Sequence, residues 1–213
     1  MKTQEEIHSI IESLKQLYPD TLCSLQYEKD YELLIAVRLS AQCTDARVNK
    51  VTPALFERFP TLEAFAEADP AEVAEHIHSC GFFNGKSRDI ENFCRIIREK
   101  HGGVVPRSME ELTALPGIGR KTANLIRGDV YGEPGSVVAD THCIRITGRL
   151  GLTDGTKDPL KVENQLRPLL PPEESNNFCH RMVLFGRDVC TARNPKCDAC
   201  PVSEWCDTAR KIE

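Results

Sequence analysis

Four cysteines near the C-terminus have a spacing that could hold a metal centre. Cys190, Cys197, Cys200 and Cys206 form the motif C-x6-C-x2-C-x5-C. The N-terminal residues do not form the apolar segment of a secretory signal, so disulfides are not the expected use of these thiols. Structural zinc usually takes two C-x2-C-like pairs, whereas this motif has one, and a single loop with four thiolates can equally bind an iron–sulfur cluster. The spacing therefore predicts a metal centre and leaves zinc and [4Fe–4S] both open.

A second candidate site is the segment LPGIGRKTANLI, residues 115–126. A proline and two glycines separate two helical patterns, and glycine permits positive φ and the close approach of another backbone. The N–H groups of such a turn and of the following helix point in one direction, which suits a phosphate group. Arg120 and Lys121 fall on the first turn of that helix. A plain helical hairpin with a surface lysine is the alternative, and the spacing alone gives both equal weight.

A candidate carboxylate lies in VVADTHCIRI, residues 137–146. Asp140 stands where a helix is expected to begin, and the N-cap is an ordinary role for aspartate. At the edge of a groove, the same carboxylate could instead face a lysine and a developing positive charge. Local sequence alone favours the N-cap.

Helices are the elements that must position these residues. Asp69 before a proline, and Ser108 with Glu111, are typical of helix N-termini, and Gly102 is typical of a helix C-terminus. Residues 31–39 suit a buried helix, although so short an apolar run also fits a strand. No segment alternates as a half-exposed sheet does. We predict an all-α fold of short helices.

Composition sets further bounds. The chain has 213 residues, of which 40% are hydrophobic and 28% charged, as is usual for a globular protein. No apolar run reaches the roughly 18 residues that a membrane span needs, so we expect no membrane partner and a cytoplasmic location. The net charge of −5 argues mildly against a nucleic-acid binder. Charge is uneven, however, and residues 117–150 contain five basic and three acidic side chains.

In this order, the glycine turn, the aspartate and the cysteine motif resemble the endonuclease III family of DNA glycosylases. The resemblance covers nearly the whole chain, including SAQCTDARVNK and GFFNGKS. It implies two α-helical lobes that flank a DNA groove. One lobe, residues 22–133, would be a six-helix barrel containing the helix-hairpin-helix. The other would join residues 1–21 to residues 134–213 and carry one [4Fe–4S] cluster on the four cysteines.

The family also implies a reaction. Its members are bifunctional DNA glycosylases and AP lyases of base excision repair that remove oxidised pyrimidines from duplex DNA. Lys121 would attack the sugar C1′ and form a Schiff base, and β-elimination would then cut the strand 3′ to the abasic site. Asp140 would stabilise the positive charge on the sugar and assist proton transfer. Related adenine-mismatch glycosylases lack this lysine, which favours the bifunctional activity.

The resemblance further implies DNA contacts. Gln42 and Phe82 match positions whose side chains enter the base stack, although an aliphatic residue would be expected in place of Phe82. A core position is the alternative for Phe82. Arg193 and Lys196 are expected to contact phosphate rather than to be ordinary surface charges. The expected contacts of the hairpin come from Leu115, Gly117, Ile118, Gly119 and Arg120.

The expected partner is double-stranded DNA that contains damaged pyrimidines or abasic sites, bound by a monomer. The expected location is the cytoplasm of a prokaryote, in association with the nucleoid. Three other functions are considered. They are a monofunctional glycosylase for mismatched or other damaged bases, a non-catalytic iron–sulfur DNA-binding protein, and a helical binding module stapled by zinc.

Overall fold

The computed structural model describes residues 2–21 and 23–209. Within these ranges the chain forms α-helices and short 3-10 helices and no β-strand, which confirms the all-α prediction. None of the helices in these ranges combines the length and apolar character needed to cross a membrane. The α-helices are α1 Gln4–Leu17, α2 Asp30–Ser40, α3 Asp45–Arg58, α4 Leu62–Ala66, α5 Pro70–Ile77, α6 Phe83–His101, α7 Met109–Thr113, α8 Arg120–Asp129, α9 Thr141–Leu150, α10 Pro159–Leu166 and α11 Ser175–Asp188. The 3-10 helices are His78–Cys80, Pro172–Glu174, Cys197–Ala199 and Ser203–Trp205.

The chain divides into two compact units. One comprises Cys23–Tyr131 and contains α2 to α8, so its described residues form seven α-helices where the resemblance implies six. Two of the seven, α4 and α7, are only five residues long. The other unit joins Met1–Leu22 to Gly132–Glu213 and contains α1 and α9 to α11.

The core of the unit Cys23–Tyr131 is built on α2 and α6. Leu33, Leu34 and Ile35 are consecutive and fully buried, so α2 is covered on all sides. This settles the ambiguity of residues 31–39, which form a helix because neighbouring helices surround them. On α6 the buried side chains repeat at helical spacing, as at Ile90 and Phe93. Helix α6 packs against α2, α4 and α5, so it is the element to which the rest of this unit attaches.

Local capping explains where several of these helices begin and end. Asp69 Oδ1 accepts a hydrogen bond from Ala71 N (2.9 Å), with proline at the first helical position of α5. Ser108 Oγ accepts from Glu111 N (3.1 Å) at the start of α7. Gly102 has φ +62° and ends α6 in the left-handed conformation that glycine adopts without strain. These three predicted helix ends are confirmed.

The second unit is held together by packing around α11. Helix α1 packs on α11 through its apolar face, and α11 packs on α9. Arg181 is buried on α11 and donates to Tyr18 O (3.1 Å) and Glu174 Oε2 (2.9 Å), which ties α11 to the end of α1. A Cβ at Gly186 would lie closer than 3.0 Å to His142 Nδ1, so this glycine lets α9 approach α11 closely. The position of α9 is thereby fixed within the unit.

Candidate nucleic-acid interface and metal centre

The glycine turn forms a hairpin between α7 and α8. Leu115 and Ile118 are buried, and Ile118 N donates to Leu115 O (3.2 Å) inside the turn. Both side chains therefore anchor the hairpin in the core. Leu115 and Ile118 were predicted to bind DNA. Because their side chains are buried, only their backbone groups can face a ligand.

Gly117 is required by the protein's own packing. Its φ is +72°, and a Cβ there would lie 2.6 Å from Asp89 Oδ2 and closer than 3.0 Å to Arg38 Nε. Arg38 on α2 and Asp89 on α6 form an ion pair, with 2.6 Å between Nη2 and Oδ2 and 2.8 Å between Nε and Oδ2. The turn rests on this ion pair. The expectation that glycine here permits the close approach of another backbone is therefore incomplete for Gly117, because the space beside it is filled by the protein's own side chains.

Gly119 differs from Gly117. It is the N-cap of α8 with φ −97°, and no atom lies within 4 Å of the position that a Cβ would take. Glycine has no side chain to accept hydrogen bonds from the N–H groups of the first helical turn, and that turn contains no acidic residue. These N–H groups and the positive end of the helix dipole favour a negatively charged group, and the space beside Gly119 is open.

Lys121 lies on this first turn of α8 and is exposed. Within the part of the chain that the structure describes, its side chain makes no hydrogen bond and no ion pair. Its amine is therefore available to a ligand bound at the hairpin. Arg120 precedes it and is also exposed.

Asp140 caps α9 as local sequence predicts. Its Oδ1 accepts a hydrogen bond from Cys143 N (2.7 Å), and the residue is half-buried. The other carboxylate oxygen has no partner among the described residues. The cap and a chemical role are therefore compatible, because each can use a different oxygen.

Gln42 and Phe82 share an uncommon backbone conformation. Among the described residues they are the only non-glycine positions with positive φ, at +55° and +48°. Such a conformation costs about 1–3 kcal/mol for a residue with a side chain. Both side chains are exposed, and 70% of the Phe82 surface is accessible. Phe82 is therefore not a core residue, which rules out the alternative considered for it.

The four clustered cysteines line one cavity. None is in a disulfide, and burial together with the three neighbouring thiols raises the pKa of Cys200. Like charges that oppose ionisation in this way are neutralised when thiolates bind metal, so the donor set fits an iron–sulfur centre. No group of three or more His, Cys, Asp or Glu side chains in the described ranges is arranged to hold a single metal ion. The four thiols line the same cavity but do not converge on one point as the ligands of a single ion do.

Arg149 at the end of α9 holds the cysteine loop. Its guanidinium donates to Thr191 O (2.7 Å), Ala192 O (2.8 Å) and Cys190 Sγ (3.3 Å). Arg145, one turn earlier, donates to Cys190 O (3.0 Å). Sequence reasoning did not assign these two arginines a role. Their spacing of one helical turn from each other, which places both on one face of α9, is the only sequence signal for this role.

Arg193 and Lys196 are exposed on this loop. Neither side chain has a hydrogen-bond or ion-pair partner in the described part of the chain. Both cations are therefore available to a phosphate group, and their contact with DNA stays a prediction.

Comparisons with known proteins assign the fold to a family. A family model described as "HhH-GPD superfamily base excision DNA repair protein" matches residues 35–172. A second, described as "Iron-sulfur binding domain of endonuclease III", matches residues 190–206, which begin at the first clustered cysteine and end at the last. The chain is 48% identical to "Endonuclease III" of Synechocystis sp. over 92% of this chain and 90% of that protein.

The chain belongs to the endonuclease III family. Its structure is similar to that of a non-covalent endonuclease III–DNA complex, with a TM-score of 0.93, 40% identity and coverage of 100% of this chain and 99% of that one. It is equally similar to a trapped endonuclease III–DNA covalent intermediate, with a TM-score of 0.92, 40% identity and the same coverage. As a member of the family, this chain is a DNA glycosylase with AP lyase activity in base excision repair, and its cofactor is a [4Fe–4S] cluster.

The two glycines of the hairpin give a first prediction. Gly117→Ala adds a Cβ against the Arg38–Asp89 ion pair at positive φ, which costs about 1–3 kcal/mol. Its melting temperature in calorimetry should fall by several degrees. Gly119→Ser is the matched change, because the new hydroxyl can cap α8 in open space. It should keep or raise the melting temperature and weaken DNA binding, since the hydroxyl occupies an N–H donor. Equal melting temperatures for the two variants would contradict this account.

Arg149 gives a second prediction. Arg149→Met removes the donors to Thr191 O, Ala192 O and Cys190 Sγ, and loss of such partners typically lowers metal affinity by about 10–100-fold. Purified protein should contain less iron and acid-labile sulfide and should lose both faster to a chelator. Arg167→Met is the control, because Arg167 pairs with Glu163 on α10 rather than with the cysteine loop. If the two variants retain iron equally, Arg149 does not support the cluster.

Proposed function

We propose that this chain removes oxidised pyrimidines from duplex DNA and then cuts the strand 3′ to the abasic site. The observation that supports this most directly is the exposed, unpartnered amine of Lys121 on the first turn of α8, directly after the glycine turn. A family relative of the same fold has been trapped as a covalent intermediate with DNA. A lysine nucleophile makes such an intermediate, whereas an activated water does not.

The proposed reaction begins when Lys121 attacks. The neutral Nζ forms a bond to C1′ of the flipped nucleotide, the C1′–N bond to the base breaks, and the base leaves with that electron pair and a proton. The sugar ring opens to a Schiff base between C1′ and Nζ. Loss of a C2′ proton then expels the 3′ phosphate by β-elimination, which breaks the C3′–O bond. Hydrolysis of the Schiff base returns the free lysine.

Asp140 is proposed to support the charge changes at the sugar. As the base departs, positive charge develops at C1′ and the ring oxygen, and a carboxylate lowers the energy of that state. The Asp140 oxygen that is not used in the helix cap is available for this and for moving protons. The other oxygen holds the side chain in one orientation through Cys143 N.

DNA is proposed to bind through a few local groups, since the chain as a whole carries a net charge of −5. The first-turn N–H groups of α8, together with Arg120, would bind one phosphate. Arg193 and Lys196 would bind another. Gln42 and Phe82 would enter the space that the flipped nucleotide leaves, because a base inside the stack is out of reach of the amine.

The cluster is proposed to be held by Cys190, Cys197, Cys200 and Cys206. When bound, it neutralises the thiolates and fixes the loop between the first two of them. Arg145 and Arg149 hold the same loop to α9, and α9 begins at Asp140. The loop that presents Arg193 and Lys196 therefore has two independent supports. We also propose that the protein acts as a monomer in the cytoplasm, on nucleoid DNA.

Trapping with borohydride tests the nucleophile. Cluster-loaded wild-type protein should form a covalent adduct on a duplex with one thymine glycol, and Lys121→Ala should form none. Arg120→Ala is the matched control on the same helical turn. It should bind more weakly but form the adduct at saturating protein, because only Lys121 supplies the amine. Base release without strand cleavage by the wild type would instead support the monofunctional glycosylase.

Asp140→Asn separates chemistry from folding. Asparagine caps a helix as well as aspartate does, so the melting temperature should not change. Removal of the charge should slow base release by about 10²–10⁴-fold in single-turnover assays. Asp140→Ala should show the same loss of rate and a lower melting temperature. A fast, stable Asp140→Asn enzyme would limit this residue to its structural role.

A further inference from the structure

Lys86 is a fully buried lysine in the unit Cys23–Tyr131 that the proposed reaction does not use. Its Nζ donates to Leu39 O (2.8 Å) and Cys80 O (2.9 Å). A buried amine destabilises the fold unless its N–H groups have acceptors, and these two carbonyls provide them. Burial lowers the pKa of Lys86, but a neutral amine still has two N–H donors, so both bonds survive in either protonation state.

The two carbonyls share a position in the fold. Leu39 is in the last turn of α2, and Cys80 ends the 3-10 helix His78–Cys80 that follows α5. The last carbonyls of a helix have no N–H donor within that helix, so they favour a cation or another N–H donor. Lys86 therefore caps two helix ends with one side chain.

A strained turn follows each of these helix ends. Gln42 comes shortly after Leu39, and Phe82 comes shortly after Cys80. They are the only two described non-glycine residues with positive φ. One buried amine therefore binds a carbonyl within three residues of each of the two positions with positive φ.

The helix that carries Lys86 is itself clamped. Lys86 lies in the first turns of α6, which begins directly after Phe82. One turn later, Asp89 pairs with Arg38 of α2 beneath the hairpin glycine. Helices α2 and α6 are therefore joined at two successive turns, first through Lys86 and then through Asp89. An apolar side chain could fill the volume of Lys86 but could not hold the two carbonyls.

We propose that Lys86 is a positioning residue for opening the DNA stack: by capping both helix ends, it maintains the strained turns that present Gln42 and Phe82. This rests on the proposed function, in which those two side chains enter the duplex. Contacts in the protein core then offset the conformational cost of the strained turns, so DNA contacts do not have to. A loss of the caps should let the turns relax and withdraw the two side chains from the stack.

The test compares duplex and single-stranded DNA with full-length, cluster-loaded Lys86→Met. On a thymine glycol duplex with 2-aminopurine beside the lesion, saturating wild-type protein should raise the fluorescence as the neighbouring base unstacks. Lys86→Met should lose most of that rise and release the base at least about tenfold more slowly. On a single-stranded oligonucleotide with an abasic site, cleavage should stay within about twofold of wild type, because no base has to be unstacked.

A double-mutant comparison shows whether Lys86 acts through the two turns. In a Gln42→Ala/Phe82→Ala background, Lys86→Met should slow duplex base release by less than about twofold further. Equal losses on duplex and single-stranded DNA, or a full additional loss in that background, would overturn the proposal. Lys86→Gln is the second variant if Lys86→Met does not fold, and failure of both to fold would assign Lys86 to core stability alone.

The proposed function can fail separately. If wild-type protein leaves the single-stranded abasic oligonucleotide intact, the proposed Lys121 chemistry fails. The fluorescence comparison still decides the role of Lys86 in that case, because it requires binding and unstacking but no chemistry.

Discussion

The ion pair between Arg38 and Asp89 is the interaction on which the proposed DNA-binding face depends. It joins α2 to α6 and leaves room above it for a glycine and for nothing larger. The hairpin turn rests there with positive φ at Gly117, and α8 begins immediately afterwards. The direction of the first turn of α8, and with it the position of Lys121, is thus set by two charged side chains in the supporting helices.

In the other unit, α9 has the equivalent role. Asp140 caps its N-terminus, while Arg145 and Arg149 near its C-terminus hold the cysteine loop. One helix of ten residues therefore joins the proposed catalytic carboxylate to the iron–sulfur centre. The close approach of α11 at Gly186 prevents α9 from shifting. Asp140 and the cysteine loop are therefore attached to the two ends of the same helix.

The sequence predicted features that depend on local chemistry and missed those that depend on distant carbonyls. The caps at Asp69 and Ser108 could be predicted because each capping hydrogen bond joins residues only a few positions apart. The cysteine spacing was equally local. By contrast, Lys86 binds Leu39 O and Cys80 O, and no side-chain pattern indicates which backbone oxygen a lysine will meet. Such partners are set only once the helices have packed.

The candidate site was predicted only in part, because many of its contacts also depend on how distant helices pack. Gly117 was correctly expected to be a special position, but its neighbours come from α2 and α6 and were not predictable from the hairpin itself. Leu115 and Ile118 belong to the glycine-turn pattern by spacing, yet their side chains face the core. The positive φ of Gln42 and Phe82 had no signal either, because neither residue type favours that conformation. Tertiary packing imposes this backbone strain, so the conformational propensities of the residues do not predict it.

The exposure of Phe82 has a consequence for how an acidic protein holds DNA. Phosphate contacts release counterions, so each one weakens as the salt concentration rises. Stacking of an aromatic ring between bases transfers apolar surface out of water and releases no counterion. In its proposed role, Phe82 therefore contributes affinity only where the stack can open, and it does so independently of ionic strength. A damaged site would be distinguished from intact duplex most clearly at high salt, where the contacts common to all DNA are weakest.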